Sequence, residues 1–203
     1  MIRFAVTLLF GFASVLSSHG KPCSLQADPT EETIAIDGVL DENTWIKLLS
    51  DESRSASDWK SITSPGRSSF DKRQVFFAWD QENLYVAMQA TFGDESELSE
   101  TTAAGEDSLR IDLKDSALGI VSSGRQIETI MIPYLIPNHA ATQENDSGWI
   151  AEMARPWAHL RIDPRPGLKI IFNVAGQDMS GDISWAAVRN FRDVENFGIL
   201  ELR

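Results

Sequence analysis

Cysteine is nearly absent from this chain: among 203 residues there is one, Cys23. A single thiol excludes an intramolecular disulfide, so packing alone must hold the fold together. Histidine is scarce as well, with His19 close to the N-terminus and His139 and His159 well separated. That set contains no spaced zinc motif. A Gly-x-Ser-x-Gly elbow and a glycine-rich phosphate loop are also missing from the sequence, which removes the nucleophile and phosphate chemistries those motifs carry. The paired carboxylates Glu106-Asp107 do not replace them, because neighbours on a strand point to opposite faces and cannot flank one glycosidic bond. Positive charge is in short supply too. Eighteen Lys and Arg stand against 30 Asp and Glu, a formal net charge of -12. Such a chain is repelled by nucleic acid and by anionic membrane surfaces, so neither is expected as a partner.

Long apolar runs are confined to the first residues. Arg3 gives a positive start, Phe4 to Leu16 carries no charge, and Ser17-Ser18-His19-Gly20 offers small residues for cleavage. This pattern predicts a secretory signal peptide over residues 1–20, too short for a membrane span, and a secreted or periplasmic product with no transmembrane segment. The competing reading is a lipoprotein anchored through Cys23, for which Gly20-Lys21-Pro22 is a poor processing sequence. Without the leader the chain holds 17 basic and 30 acidic residues, a charge of -13. Residues 21–31 are polar, contain Pro22 and Pro29, and are expected to form a linker.

What is present from residue 32 onward is a succession of short apolar or alternating segments. The sharpest is Val75 to Thr91, where two runs rich in aromatic and β-branched residues flank the polar tetrapeptide Asp80-Gln81-Glu82-Asn83. Runs of that length and composition are strands, and the polar connection makes them a hairpin. Neither run has a polar face along its whole length, which places the hairpin inside a sheet covered on both sides. Further strands are expected at Thr33–Ile36, Ser108–Leu113, Gln126–Pro133, Trp149–Arg155, Gly167–Ala175, Ile183–Val188 and Gly198–Leu202. Asp37-Gly38 is a turn pair. Asp41 to Trp45 opens a short helix with acids at its N-terminus and with Trp45 and Leu48 or Leu49 toward the core. Residues 51–70, 93–105 and 136–148 read as loops, the last holding the sequon Asn145-Asp146-Ser147. Many short strands with almost no helical periodicity predict one all-β domain over residues 32–203, an antiparallel two-sheet β-sandwich.

The order of several segments is similar to a known family. Ile36-Asp37-Gly38-Val39-Leu40-Asp41 with Trp45, Phe77-Ala78-Trp79-Asp80 with Leu84-Tyr85-Val86, and Glu106-Asp107-Ser108-Leu109-Arg110-Ile111 resemble the family-9 carbohydrate-binding modules. Trp149-Ile150-Ala151-Glu152 with Pro156-Trp157, Ile171-Phe172-Asn173-Val174, Trp185 and Phe197-Gly198-Ile199-Leu200 continue the series to the C-terminus. The resemblance implies a β-sandwich that binds sugars without catalysis, is often loaded with calcium, and works beside glycan-degrading enzymes in polysaccharide catabolism. In that family two tryptophans sandwich a pyranose. One of the two positions falls here on Ala104 or Gly105, and the other on Phe191. A sugar-bonding glutamate aligns with Arg110, and a glutamine with Ala175.

A sugar packs its C–H face on an aromatic plane and pairs its hydroxyls with planar polar side chains. Phe191 between Asn190 and Arg192, with Arg110 as a hydroxyl partner, supplies both types. The alternative is that Phe191 folds onto the end of the sandwich. Trp59 is either an exposed platform or the residue that tacks its loop down, while Trp45, Trp79, Trp149, Trp157 and Trp185 belong to the core. Asp94, Glu95, Glu106 and Asp107 gather carboxylates suited to calcium, Asp107 and Asp94 foremost, or else form a solvated acidic edge. Two other classes of function stay open. Met131, Met153, His139 and His159 are available as axial ligands for haem b in an electron-transfer sandwich, and Ala104 and Ala175 suit an interaction scaffold that has lost sugar binding.

Overall fold

A computed structural model describes residues 23–62, 72–91, 108–113, 116–121, 139–145, 148–178, 181–186, 188–189 and 193–203. The expected hairpin is there, as β3 (Lys72–Trp79) and β4 (Asn83–Thr91). Its turn is built by Asp80, whose Oδ1 accepts from Glu82 N and Asn83 N at 2.7 Å each. The Tyr85 hydroxyl donates to Asp80 Oδ2 (2.7 Å), and the Trp157 indole N–H donates to the Asp80 carbonyl (2.9 Å).

Around this hairpin runs one sheet path, β2-β10-β9-β11-β1-β3-β4-β8-β7, with β5 and β6 added on the other side of β9. The remaining strands are β1 (Ser24–Pro29), β2 (Lys60–Ser61), β5 (Ser108–Leu113), β6 (Ser116–Val121), β7 (His139–Asn145), β8 (Gly148–Pro156), β9 (Lys169–Asp178), β10 (Gly181–Ser184) and β11 (Gly198–Leu202). β1 is the seam that makes two layers of this path. Ser24–Ala27 pair with Ile199–Leu202 of β11, whereas Asp28 and Pro29 pair with Ala78 and Trp79 of β3. The layers face each other through Val75, Phe77, Trp79, Val86, Met88, Trp149 and Met153 on one side and Ile111, Ile170, Phe172, Val174, Leu200 and Leu202 on the other. The Phe77 and Phe172 rings meet edge-on at 5.4 Å and 82°. Each such buried side chain contributes roughly 1.5–3 kcal/mol. The all-β sandwich is therefore present.

Several expectations need correction, and the strand expected at Gln126–Pro133 lies outside the described residues. Residues 21–31 are not a free linker, since Ser24–Pro29 is a strand with Leu25 and Ala27 in the core. Nor is the sandwich purely antiparallel, because β1 pairs in parallel with both neighbours. The physical reason is common to both points. β1 and β11 lie at opposite ends of the chain, and parallel neighbours need a long connection, which the intervening domain provides. Thirdly, residues 139–145 form a strand rather than a loop, laddered along β8. Cys23 is exposed, and its carbonyl accepts from Ile199 N (2.9 Å), so anything attached there sits against β1 without a spacer.

The outer face of the β3–β4–β8 layer is covered by residues 30–49, which close a second cluster of Ile34, Trp45, Leu48, Phe76, Ala78, Tyr85, Ala87 and Ala154. Here α1 (Asn43–Leu49) buries Trp45 and Leu48, as its pattern predicts. Its first-turn amides are satisfied by Glu32 rather than by Asp41 or Glu42: the Glu32 carboxylate accepts from Asn43 N (3.3 Å) and Thr44 N (3.0 Å). Residues 33–36 are extended but unladdered, since Ala35 N donates to Glu42 Oε1 (2.7 Å) instead of to a neighbouring strand. Gly38 makes the turn at φ +85°, and a Cβ there would stand 3.1 Å from Thr142 and Gln143 of β7. The turn is fastened by Glu152, fully buried on β8, which accepts from Gly38 N (2.8 Å), Asp37 N (3.3 Å) and Trp45 Nε1 (2.8 Å).

Candidate functional site

The layer that carries β5 and β9 has an apolar inner face. Ile111, Phe172, Val174 and Ile183 enter the core, so the alternate positions of their strands belong to the face turned away from it. The ladders align those positions in rows. Ser184 of β10 stands opposite Ala175 of β9, Ala175 opposite Arg110 of β5, and Arg110 opposite Gly119 of β6. The next rows place Asn173, Asp112 and Ala117 together on one side, and Asp182, Gln177, Ser108 and Val121 on the other. The register thus brings Arg110, Asp112, Asn173 and Ser184 to neighbouring positions of one sheet.

The middle of this face is shielded. Asn173, Ala175 and Ser184 are all buried. Asn173 Oδ1 accepts from Ser184 Oγ (3.0 Å) and from Ala186 N (3.1 Å), which fixes the chain leaving β10 across β9. Its Nδ2 is buried without a hydrogen-bond partner. Further on, Arg189 and Asp193 are paired. The Asp193 carboxylate accepts from Arg189 N (3.0 Å), Nε (2.9 Å) and Nη2 (2.8 Å), and from Asn196 Nδ2 (3.0 Å). The Arg189 guanidinium and backbone N–H hold this carboxyl far below the usual carboxylate range, against the opposing effect of burial.

Of the expected sugar-contact residues, Arg110 is placed by its backbone in β5, on the outer-face row beside Ala175. Asn190, Phe191 and Arg192 lie outside the described residues, as do Ala104, Gly105, Asp94, Glu95, Glu106 and Asp107. Trp59 is resolved between its two roles. It is buried, and its indole N–H donates to the Ala56 carbonyl at 3.0 Å, so it tacks its loop to the sandwich. Trp45, Trp79, Trp149 and Trp157 are core, with Trp185 packed partly against it. Met153 fills the core between the layers, which is packing rather than ligation. Among the described residues no group of three or more His, Cys, Asp or Glu could hold a metal ion. The carboxylates expected to suit calcium, Asp94, Glu95, Glu106 and Asp107, lie outside those residues.

Sequence reasoning missed Asn173, Arg189 and Asp193. The signal available was weak: an Arg and an Asp four residues apart on either side of Phe191, and an Asn interrupting the apolar run Ile170 to Val174.

Comparison with known proteins returned no matching family model and no matching curated protein. Solved structures do match over nearly the whole chain. A carbohydrate-binding module of family 9 from Caldicellulosiruptor kristjanssonii, in complex with cellotriose, superposes with a TM-score of 0.65 at 12% identity, covering 89% of this chain and 94% of that one. A family-9 module from the same organism in complex with glucose gives 0.59 at 14% identity, with 90% and 96% covered. A candidate carbohydrate-binding protein from Bacteroides uniformis gives 0.57 at 11% identity, with 89% and 99% covered. This chain has the fold of the family-9 carbohydrate-binding modules, as its ordered segments predict. At these identities the likeness is one of fold.

Proposed function

We propose that this protein is a secreted, non-catalytic carbohydrate-binding module. It holds glycans weakly through residues of the β10–β9–β5–β6 layer and through Asn190, Phe191 and Arg192. Phe191 is the platform for a pyranose C–H face, and Arg110, Asn190 and Arg192 pair with hydroxyls. The observation that carries this reading is a fold shared over about nine-tenths of the chain with modules solved in complex with cellotriose and with glucose. The strand register that sets Arg110 opposite Ala175 is consistent with it. Secretion is supported by the leader-like residues 1–20. Among the described residues no helix is long and apolar enough to cross a membrane. A glycan-degrading enzyme is the partner such a module would serve.

Calorimetric titration of the mature protein with glucose, cellotriose and a panel of other soluble oligosaccharides tests the reading. Saturable heat with one member is expected, and Phe191→Ala should weaken it about tenfold, the order of one aromatic contact. No heat with any sugar, with or without added calcium, would remove it. Buried Ala175, which brings no hydrogen-bonding side chain to the central row, favours a second reading as an interaction scaffold. A silent panel with a protein captured from the secreted fraction would select that one.

A further inference from the structure

Residues 31–49 cover the outer face of the β3–β4–β8 layer without joining its ladder. Their polar groups are largely satisfied within the cover: Glu32 receives the first amides of α1, and Glu42 Oε1 receives Ala35 N. On either side the chain is tied to β3. Thr30 N donates to the Trp79 carbonyl (2.8 Å), and Ala56 exchanges backbone bonds with Val75 (2.9 and 3.2 Å). Among the described residues, every hydrogen bond that ties residues 31–49 to a strand ends on one group, the Glu152 carboxylate.

That group is poorly placed to carry a charge. By register it stands between Ala87 of β4 and Ala141 of β7, with Phe76 of β3 beyond Ala87, so its row along the sheet offers no cation. The cover brings acids instead. Glu42 is near enough to repel it as a like charge, and Glu42 Oε2 is itself buried without a hydrogen-bond partner. Asp37 turns its carboxylate back to Val39 N (2.9 Å), and Lys47 on α1 is exposed. His139 of β7 stands two positions from Ala141, opposite Ala154. Neither Glu42 nor Glu152 has a salt bridge among the described residues. Neighbouring carboxylates without a basic partner favour retention of a proton, and a protonated carboxyl can still accept from the N–H groups around it.

We propose that residues 31–49 are a proton-controlled latch, held shut over the β3–β4–β8 layer through Glu152 and opening about Thr30 and Ala56 when the proton of that group leaves for solvent. The device does not depend on the glycan-binding reading. In the open state Glu152 is hydrated and ionises in the ordinary carboxylate range. In the closed state burial, and after it Glu42, pushes the value up to about 7. Opening therefore becomes easier as pH rises from the ordinary range to about 7, and levels off above it. The face laid bare is apolar, with Phe76, Ala78, Tyr85, Ala87 and Ala154. It is presented more often near neutrality than in acid.

Amide hydrogen exchange of the mature protein from pH 5 to pH 8, corrected for the intrinsic rate at each pH, tests the latch, because local opening sets the exchange of the amides it covers. Protection over residues 34–46 should be lower than in β3 and β4 at every pH. It should fall by up to about tenfold per unit between pH 5 and pH 7 and level off above, the size set by one proton. Glu152→Gln cannot ionise, so its protection over 34–46, whatever the level, should not follow pH. His139→Gln should keep the wild-type profile. A flat wild-type profile, one that persists in Glu152→Gln, or one that His139→Gln removes overturns the proposal. Protection over 34–46 equal to that of β3 and β4 overturns it too, since the segment then opens only with the whole fold. Should Glu152→Gln fail to fold, Glu42→Gln carries the test. Without the neighbouring charge the fall should end at lower pH, and an unmoved end point contradicts the latch.

Discussion

Glu152 offers the most searching test of the packing scheme. Its carboxylate is fully buried on β8, yet both oxygens receive N–H donors, Oε1 from Trp45 and Oε2 from Gly38 and Asp37. Those donors favour the ionised form. Burial acts more strongly in the other direction, and Glu42 adds like-charge repulsion, so the pKa is pushed up from its ordinary 4.5 to about 7. The sign follows directly. In the unfolded chain the group ionises near its ordinary value, while in the fold it keeps its proton until about 7. Its contribution to stability is fully present below the unfolded pKa and is lost as pH rises through the folded one. A shift of that size corresponds to about 3 kcal/mol at most. Urea unfolding followed by tryptophan fluorescence at intervals from pH 5 to pH 8 should show this loss. Glu152→Gln cannot ionise and should flatten it. The difference between the two proteins should therefore move by up to about 3 kcal/mol in favour of Gln as pH rises over that range. Trp45→Phe, which removes a donor to the anion, should move the midpoint of the wild-type slope to higher pH. Parallel pH curves for wild type and Glu152→Gln would refute the reasoning.

Two further substitutions probe the frame that carries the candidate face. Phe77→Ala deletes the ring that meets Phe172 across the layers, and should cost about 3–5 kcal/mol in urea unfolding. Gly148→Ala places a Cβ 2.0 Å from the Ala90 carbonyl oxygen. It should cost about 1–3 kcal/mol by forcing the backbone apart, with faster amide exchange confined to the β4–β8 end near Thr91.

The elements most legible in the sequence are those whose contacts are local. β3 and β4 are joined by a tight polar turn and buried on both faces, so their aromatic and β-branched runs stand out. Trp45 and Leu48 follow a helical spacing, and both are buried. The first strand gave no such sign. Ser24 to Pro29 shows only Leu25 and Ala27 as an apolar face, and its partners are some 50 and 175 positions away along the chain, by the registers with Ala78 and Ile199. β7 is an edge strand of small and polar residues, stabilised by its ladder to β8 and by the Gly38 turn lying against it. For the candidate site, Arg110 and Ala175 were named separately, and the ladder shows them directly opposed. Asn173, Arg189 and Asp193 escaped notice because their importance lies in which donors reach them, a matter of three-dimensional register that spacing alone does not encode.

The location of ligand contact is the central claim, and amide chemical-shift mapping tests it most directly. The ¹⁵N-labelled mature protein would be titrated with whichever sugar of the panel gives heat. Shifts gathered on β5, β9 and β10 and on residues 186–197 are the predicted result. Shifts gathered instead on the face covered by α1, around Gly38, Trp45 and Glu152, or none at saturating sugar, would contradict it.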